Sequence, residues 1–238
     1  FNVYGSTQDH GCYRAPVTYR PGVEAWDRPA SAWVTVPGGE YSSVGVDPRD
    51  AKVYYSGKLT RSEFVNGAWK NVRLEPSPEP GAPPLRSQSL TPFILSPHNP
   101  SIIYAGFQYV LRSMSRGENW ERISPDLTYN NPAQQDDVSF ASITSISESP
   151  LKFGLIYAGT DDGRVQVTRD QGAKWTDISA GLPFNKHVSR VTASAFKEGT
   201  VYVSGEEWTA RSEQLIKKGT PVRVLGREGL VLLVEKAE

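Results

Sequence analysis

Ser145-Ile146-Ser147-Glu148-Ser149-Pro150, followed shortly by Leu155-Ile156-Tyr157-Ala158-Gly159, recurs along this chain in four versions. Upstream stands Phe93-Ile94-Leu95-Ser96-Pro97-His98-Asn99-Pro100 with Ile102-Ile103-Tyr104-Ala105-Gly106. Before it comes Ser43-Val44-Gly45-Val46-Asp47-Pro48 with Val53-Tyr54-Tyr55. A weaker copy, Val191-Thr192-Ala193-Ser194-Ala195-Phe196 with Val201-Tyr202-Val203, lies downstream. Tyr54, Tyr104 and Tyr157 are spaced by 50 and 53 residues, and Trp69, Trp120 and Trp175 by 51 and 55. Runs of Val, Ile, Tyr and Thr bounded by Gly, Pro, Asn and Asp predict strands. A period near 50 in such a sequence predicts a β-propeller with one four-stranded sheet per repeat. One sheet cannot bury both of its faces, so neighbours must cover them.

Two repeats end in a shared turn. Thr168-Arg169-Asp170-Gln171-Gly172-Ala173-Lys174-Trp175 fits Ser/Thr-x-Asp-x-Gly-x-x-Trp. Ser113-Met114-Ser115-Arg116-Gly117-Glu118-Asn119-Trp120 fits it with Ser115 in place of Asp, and Ser62 to Trp69 is a degraded version that keeps Gly67 and Trp69. Asp170 can accept hydrogen bonds from its own turn, Gly172 can take a positive φ, and Trp175 can enter the next strand and pack between sheets. This pattern resembles the Asp-box of sialidase-like (BNR) repeats. On that resemblance Ser113, Gly117, Trp120, Thr168, Asp170, Gly172 and Trp175 are structural turn residues.

The resemblance extends over most of residues 1–187. Asn2-Val3-Tyr4-Gly5 with Gln8-Asp9-His10-Gly11 looks like a blade of the large bacterial propellers related to sortilin ectodomains and xyloglucanases. So do 91–100, Ile123-Ser124-Pro125-Asp126-Leu127-Thr128 and Gly159-Thr160-Asp161-Asp162-Gly163-Arg164. The resemblance implies an exported protein, periplasmic, cell-surface or extracellular, of a group often labelled glycosyl hydrolase on fold grounds. The catalytic residues of sialidases match no motif here. Xyloglucanases use two separated aspartates, and glycosidases in general work with paired carboxylates. The candidate acids are Asp9, Asp161 and Asp162, with Asp126, Asp136 and Asp137 behind them. Asp161-Asp162-Gly163 also reads as a hairpin turn, and Asp136-Asp137 as part of a solvated loop. The proline-rich run 76–84 reads as an extended connection that cannot be a central strand.

Beyond Trp208 the repeat stops. The segments 205–213, Ile216-Lys217-Lys218-Gly219-Thr220-Pro221-Val222-Arg223-Val224-Leu225 and Glu228-Gly229-Leu230-Val231-Leu232-Leu233-Val234-Glu235 resemble, in order, the C-terminal soluble domain of NfeD-like proteins. That resemblance implies a small five-stranded OB-type barrel and an adaptor role toward a stomatin-like membrane partner. Strands 191–203 could begin the barrel or a fourth blade; closure of five strands favours a junction near Val188. The expected fold is therefore all-β: a partial β-propeller of about three to four four-stranded blades over 1–187, then a small OB-like β-barrel over 188–238.

Composition bounds the function. The chain has 238 residues, 38% of them hydrophobic and 11% aromatic, enough for a sizeable core. Twenty-six basic residues balance twenty-six acidic ones, so no global field draws nucleic acid. From Val188 on, eight basic residues meet seven acidic ones, and Trp208 is the one aromatic after Tyr202, so the barrel shows neither a basic groove nor a stacking platform. Cys12 is the only cysteine, which excludes an internal disulfide framework. His10, His98 and His187 lack metal-ligand spacing. No nucleotide-binding glycine loop or nucleophile elbow is present. No cofactor, metal, nucleic-acid partner or transmembrane segment is expected. Phe1 opens the chain and Met114 is the single methionine, which suggests a segment that begins mid-ring. The leading expectation is a non-catalytic scaffold for a protein or glycan ligand. A stomatin-directed adaptor and a glycosidase-like propeller are the alternatives.

Overall fold

The computed structural model describes residues 1–7, 10–18, 33–39, 43–78, 80–88, 91–135, 139–182, 186–204, 209–217, 220, 222–228 and 231–237. They divide into two compact units, Phe1–Ser204 and Gly205–Glu238.

The first unit is a succession of antiparallel sheets. β1 (Asn2–Thr7), β2 (Gly11–Pro16) and β3 (Val34–Val36) form a three-stranded sheet. Three four-stranded meanders follow. The first is β4 (Val44–Val46), β5 (Val53–Ser56), β6 (Thr60–Val65) and β7 (Ala68–Arg73). The second is β8 (Phe93–Leu95), β9 (Ile103–Gly106), β10 (Val110–Ser113) and β11 (Glu121–Arg122). The third is β12 (Ile143–Glu148), β13 (Ile156–Thr160), β14 (Val165–Thr168) and β15 (Trp175–Asp177). A pair, β16 (Arg190–Ala193) and β17 (Val201–Ser204), ends the unit.

The second strand of each meander is buried along its whole length, which is why these runs show no polar alternation. One face meets the preceding sheet and the other the following one. Val53, Tyr55 and Leu59 pack with Phe93, Ile103 and Phe107. Ile102, Tyr104 and Val110 pack with Ile143, Ile146 and Ile156. Leu155, Tyr157 and Val167 pack with Val188, Val191 and Ala193. Close approach needs small residues at the strand ends. A Cβ on Gly106 would lie 2.7 Å from Ile143 Cγ2, and one on Gly159 2.5 Å from Val188 Cγ1.

Hydrogen bonds fix how the repeats align. The amides of Asp47, Ser96, Ser149 and Ser194 donate to the carbonyls of Val53, Ile102, Leu155 and Thr200 at 2.9, 2.9, 2.8 and 2.9 Å. Two residues beyond each acceptor stand Tyr55, Tyr104, Tyr157 and Tyr202. The structure therefore places Tyr55, not Tyr54, in the repeat. Tyr54 points the other way, against Cys12 and Val36, because a shift of one residue in a strand exchanges faces.

β16 docks beside β12 through hydroxyls. The Val191 amide donates to Ser145 Oγ and the Ala193 amide to Ser147 Oγ, both at 3.0 Å. The residues between Val188 and Ser204, which strand closure had pointed toward the barrel, thus pack within the first unit.

The second unit holds β18 (Thr209–Arg211), β19 (Val222–Glu228) and β20 (Val231–Lys236). β20 is central, parallel to β18 and antiparallel to β19, with a register shift between Val224 and Gly226. Arg223 and Glu235 pair across it. Among the described residues of this unit three strands are seen where the barrel expectation has five. Among the described residues no helix is long and apolar enough to cross a membrane, which says nothing of β-barrels.

Candidate binding face

Antiparallel meanders send alternate connections to opposite ends. The turns 107–109 and 161–164 and the connections 74–92 and 123–142 share one end. The turns 113–120 and 168–175 share the other.

The candidate acids lie at the first end. Asp161 is 4% exposed and Asp162 1%. Asp161 Oδ1 accepts from the Ser142 amide at 2.8 Å, and Oδ2 accepts from Ser142 Oγ at 3.0 Å and Gln88 Nε2 at 2.8 Å. Asp162 Oδ1 accepts from Thr160 Oγ1 at 2.5 Å, and Oδ2 from the Tyr129 and Asn130 amides at 2.6 and 3.3 Å. Every carboxylate oxygen is engaged. A general acid or nucleophile needs an oxygen open to the substrate, and neither aspartate has one in this arrangement. Asp126 is pinned by Arg86 at 2.7 Å and by Thr128. Asp9, Asp136 and Asp137 lie outside the described residues; among the described ones, Asp126, Asp161 and Asp162 are each tied to their own donors and form no open catalytic pair.

A strap that the sequence reading missed crosses this end. Behind the proline run, Gln108 Nε2 donates to the Pro84 carbonyl at 2.9 Å and Gln108 Oε1 accepts from the Arg86 amide at 2.7 Å. Arg86 Nε donates to the Ala141 carbonyl at 3.0 Å. The polar triplet Arg86-Ser87-Gln88, one residue beyond the last proline of the run, was the available signal. Nearby, the Arg164 guanidinium lies 5.0 Å over the Tyr129 ring and donates to the Thr128 carbonyl at 2.8 Å. A groove of ≈ 750 Å³ is lined by apolar Phe93, Ile94, Ile146 and Val191 and by hydroxyl residues such as Ser145 and Ser147, with Arg190 as its charged residue.

At the opposite end the two eight-residue turns share one wiring. Thr168 Oγ1 accepts from the Gly172 amide at 2.9 Å, and Asp170 Oδ1 from Thr168 Oγ1 at 2.8 Å and the Lys174 amide at 2.9 Å. Ser113 Oγ accepts from the Gly117 amide at 2.9 Å, and Ser115 Oγ from the Asn119 amide at 3.2 Å. Ser115 thus stands where Asp170 does. Trp175 Nε1 donates to the Ile123 carbonyl and Trp120 Nε1 to the Leu74 carbonyl, both at 2.8 Å, tying each turn to the preceding sheet. The stretch 62–69 is different. Asn66 and Gly67 have φ of 51° and 81° and close a two-residue hairpin between β6 and β7. Trp69 packs on Tyr54 and Phe64 of its own sheet.

Hydrogen bonding from the Lys174 amide holds the Asp170 carboxyl below the usual aspartate value, and the Arg49 guanidinium does the same for Asp47. A depressed folded-state value gives stability that is present above the ordinary 3.8 and lost as the pH falls through the depressed value. Acid destabilisation should therefore steepen below pH 3.8, and Asp47→Asn should flatten it in a pH series of denaturant melts. An unchanged slope would remove Asp47 as a contributor.

His98 Nε2 lies 2.9 Å from the Ser149 carbonyl. Among the described residues no three His, Cys, Asp or Glu side chains are grouped to hold a metal.

The fold is similar to that of the GH74 xyloglucanase from Xanthomonas campestris, with a TM-score of 0.51 and 19% identity over 80% of this chain and 30% of that one. The meanders are propeller blades. β16 and β17 then occupy the place of the first half of a further blade. A GH74 enzyme from Niastella koreensis gives a TM-score of 0.47 and 19% identity over 80% of this chain and 29% of that one. YCF48 bound to D1 peptide gives 0.46 and 13% over 86% and 57%. The chain thus spans under a third of the length of either GH74 protein. Residues 187–236 match the NfeD-like C-terminal, partner-binding domain. The match spans β16 to β20 and so reaches across the boundary between the compact units. Comparison with curated proteins returned no match.

Proposed function

We propose that this chain is a non-catalytic interaction scaffold, a propeller segment that presents a protein- or glycan-binding face together with an NfeD-like partner-binding module. The observation that carries this reading is the burial of Asp161 and Asp162 with both oxygens of each engaged by donors from Gln88, Tyr129, Asn130, Ser142 and Thr160. Such carboxylates tie loops together. The turns 113–120 and 168–175 are read as Asp-box turns of the BNR type, with the same structural purpose. The sortilin- and xyloglucanase-like character of the repeats supports export to the periplasm, cell surface or exterior. Glycan and protein arrays test the scaffold. Retained binding on either, with no hydrolysis of plant or mucin oligosaccharides, is the expected result. Turnover that disappears in Asp161→Asn while the variant stays folded would overturn it in favour of a glycosidase-like propeller.

The NfeD-like match over 187–236 favours a second reading in which the C-terminal module recruits a stomatin-like membrane protein. Retention of the full chain on an immobilised stomatin-like protein would support it. Equal retention after Val234→Asp, which would disrupt the buried side of β20, would count against it.

A further inference from the structure

We infer that the junction of the first two sheets holds an oxyanion site that takes a phosphate or sulfate group. The site is a cleft of ≈ 550 Å³ lined by Gly38 and Gly39, which follow β3, and by Ser56, Gly57, Lys58 and Thr60 at the turn after β5. It stands apart from the scaffold reading, because none of the ties at Asp161 or Asp162 enters it.

Three observations converge. The first is a supply of unused backbone donors. Among the described residues, the amides of the cleft residues Gly38, Gly39, Gly57 and Lys58 donate to no acceptor. Gly57 and Leu59 have φ of 55° and 58°, and turns with left-handed residues gather successive N–H groups into an anion-binding concavity. The two segments are close: a Cβ on Gly57 would lie 3.8 Å from the Gly39 nitrogen. The second is charge. Lys58 is exposed and, among the described residues, forms no ion pair, and no carboxylate is among those lining the cleft. The third is a buried hydroxyl without a partner. Ser56 is 1% exposed and its Oγ is unsatisfied. It lies under Gly38, 3.1 Å from where a Cβ would stand on that residue. Leaving such a group unpaired carries a desolvation cost that a bound acceptor removes.

The donor count selects the ligand class. A carboxylate offers two oxygens and about four lone-pair sites. Amides from two segments, an ammonium and a hydroxyl exceed that, whereas a tetrahedral group with three or more terminal oxygens can use them. Lysine binds such a group as a point charge. A free ion and an ester on a larger molecule share this chemistry.

Amide chemical shifts of the full chain are to be followed at constant ionic strength against inorganic phosphate, inorganic sulfate, glucose 6-phosphate, glucose 6-sulfate and chloride. Saturable shifts centred on Gly38, Gly39, Gly57 and Lys58 are expected with the tetrahedral anions and not with chloride. Lys58→Ala should weaken binding about tenfold, and Ser56→Ala should weaken it with the spectrum otherwise kept. Response to the inorganic ions alone assigns a soluble anion; response to the esters assigns a covalent group. Shifts that chloride reproduces, or that Lys58→Ala leaves intact, overturn the site. Glu40 follows Gly39 and lies outside the described residues. Binding that appears only in Glu40→Gln would also overturn it, since the cleft would then hold the chain's own carboxylate.

Discussion

Tyr104→Ala and Tyr157→Ala should each destabilise the chain by about 3–5 kcal/mol, the range for removing a large buried aromatic. Tyr202→Ala should stay within about 0.5 kcal/mol of the parent. All three tyrosines occupy one position of the blade, two residues past the carbonyl that closes the first loop. Tyr104 and Tyr157 are 0% and 1% exposed because the next blade covers them, whereas Tyr202 is 63% exposed. Tyr104 also donates to Glu148 Oε1 at 3.1 Å, so its loss removes a partner from a buried carboxylate. Domains of this kind are stable by about 5–15 kcal/mol in total, so either core variant would remove a large share. Denaturant midpoints measured side by side would decide. Equal losses at Tyr202 and Tyr104 would mean that another sheet covers β17.

Gly172→Ala should cost about 3 kcal/mol, well above the same change at Gly67. Both glycines close the turn between the third and fourth strands of a blade, and both have positive φ, 101° and 81°. They differ in their surroundings. A Cβ on Gly172 would lie 2.5 Å from the Ile123 carbonyl oxygen and 2.8 Å from Ile123 Cβ, whereas one on Gly67 would meet nothing within 4 Å. Backbone strain costs about 1–3 kcal/mol, and overpacking against main chain adds about 1–3 kcal/mol. Gly67→Ala carries the first part alone. Thermal melts of the two variants give the comparison; matched shifts would show that Ile123 yields and that the turn is not locked to the preceding blade.

The blades were legible because each needs the same runs at the same spacing. The fourth copy was legible as strands, but the sequence left it between a blade and the barrel and favoured the barrel. Register was not legible. Val53-Tyr54-Tyr55 is buried on both faces, so polar alternation could not say which tyrosine faces which neighbour, and Tyr54 was aligned one residue off. Trp69 matched the spacing of Trp120 by coincidence, since Asn66-Gly67 makes a plain hairpin. The C-terminal likeness was legible and is matched at 187–236. The docking of β16 was not, because it runs through Ser145 and Ser147 hydroxyls, and a serine on a strand reads as an ordinary polar residue. At the candidate site, Asp161 and Asp162 stood out by type. Their donors come from Gln88, Tyr129, Asn130 and Ser142, residues remote in sequence whose convergence only the fold reveals.

The central claim is that one blade register runs unbroken through β17, so that β16 and β17 belong to the propeller although the family match extends over them. Hydrogen exchange on the full chain tests it most directly, because strands of one cooperative unit open together. The amides of Val191 and Ala193 should exchange with the same opening free energy as those of β13, against which they are packed. Exchange that instead follows β19 and β20 would place these strands in the C-terminal module and contradict the account.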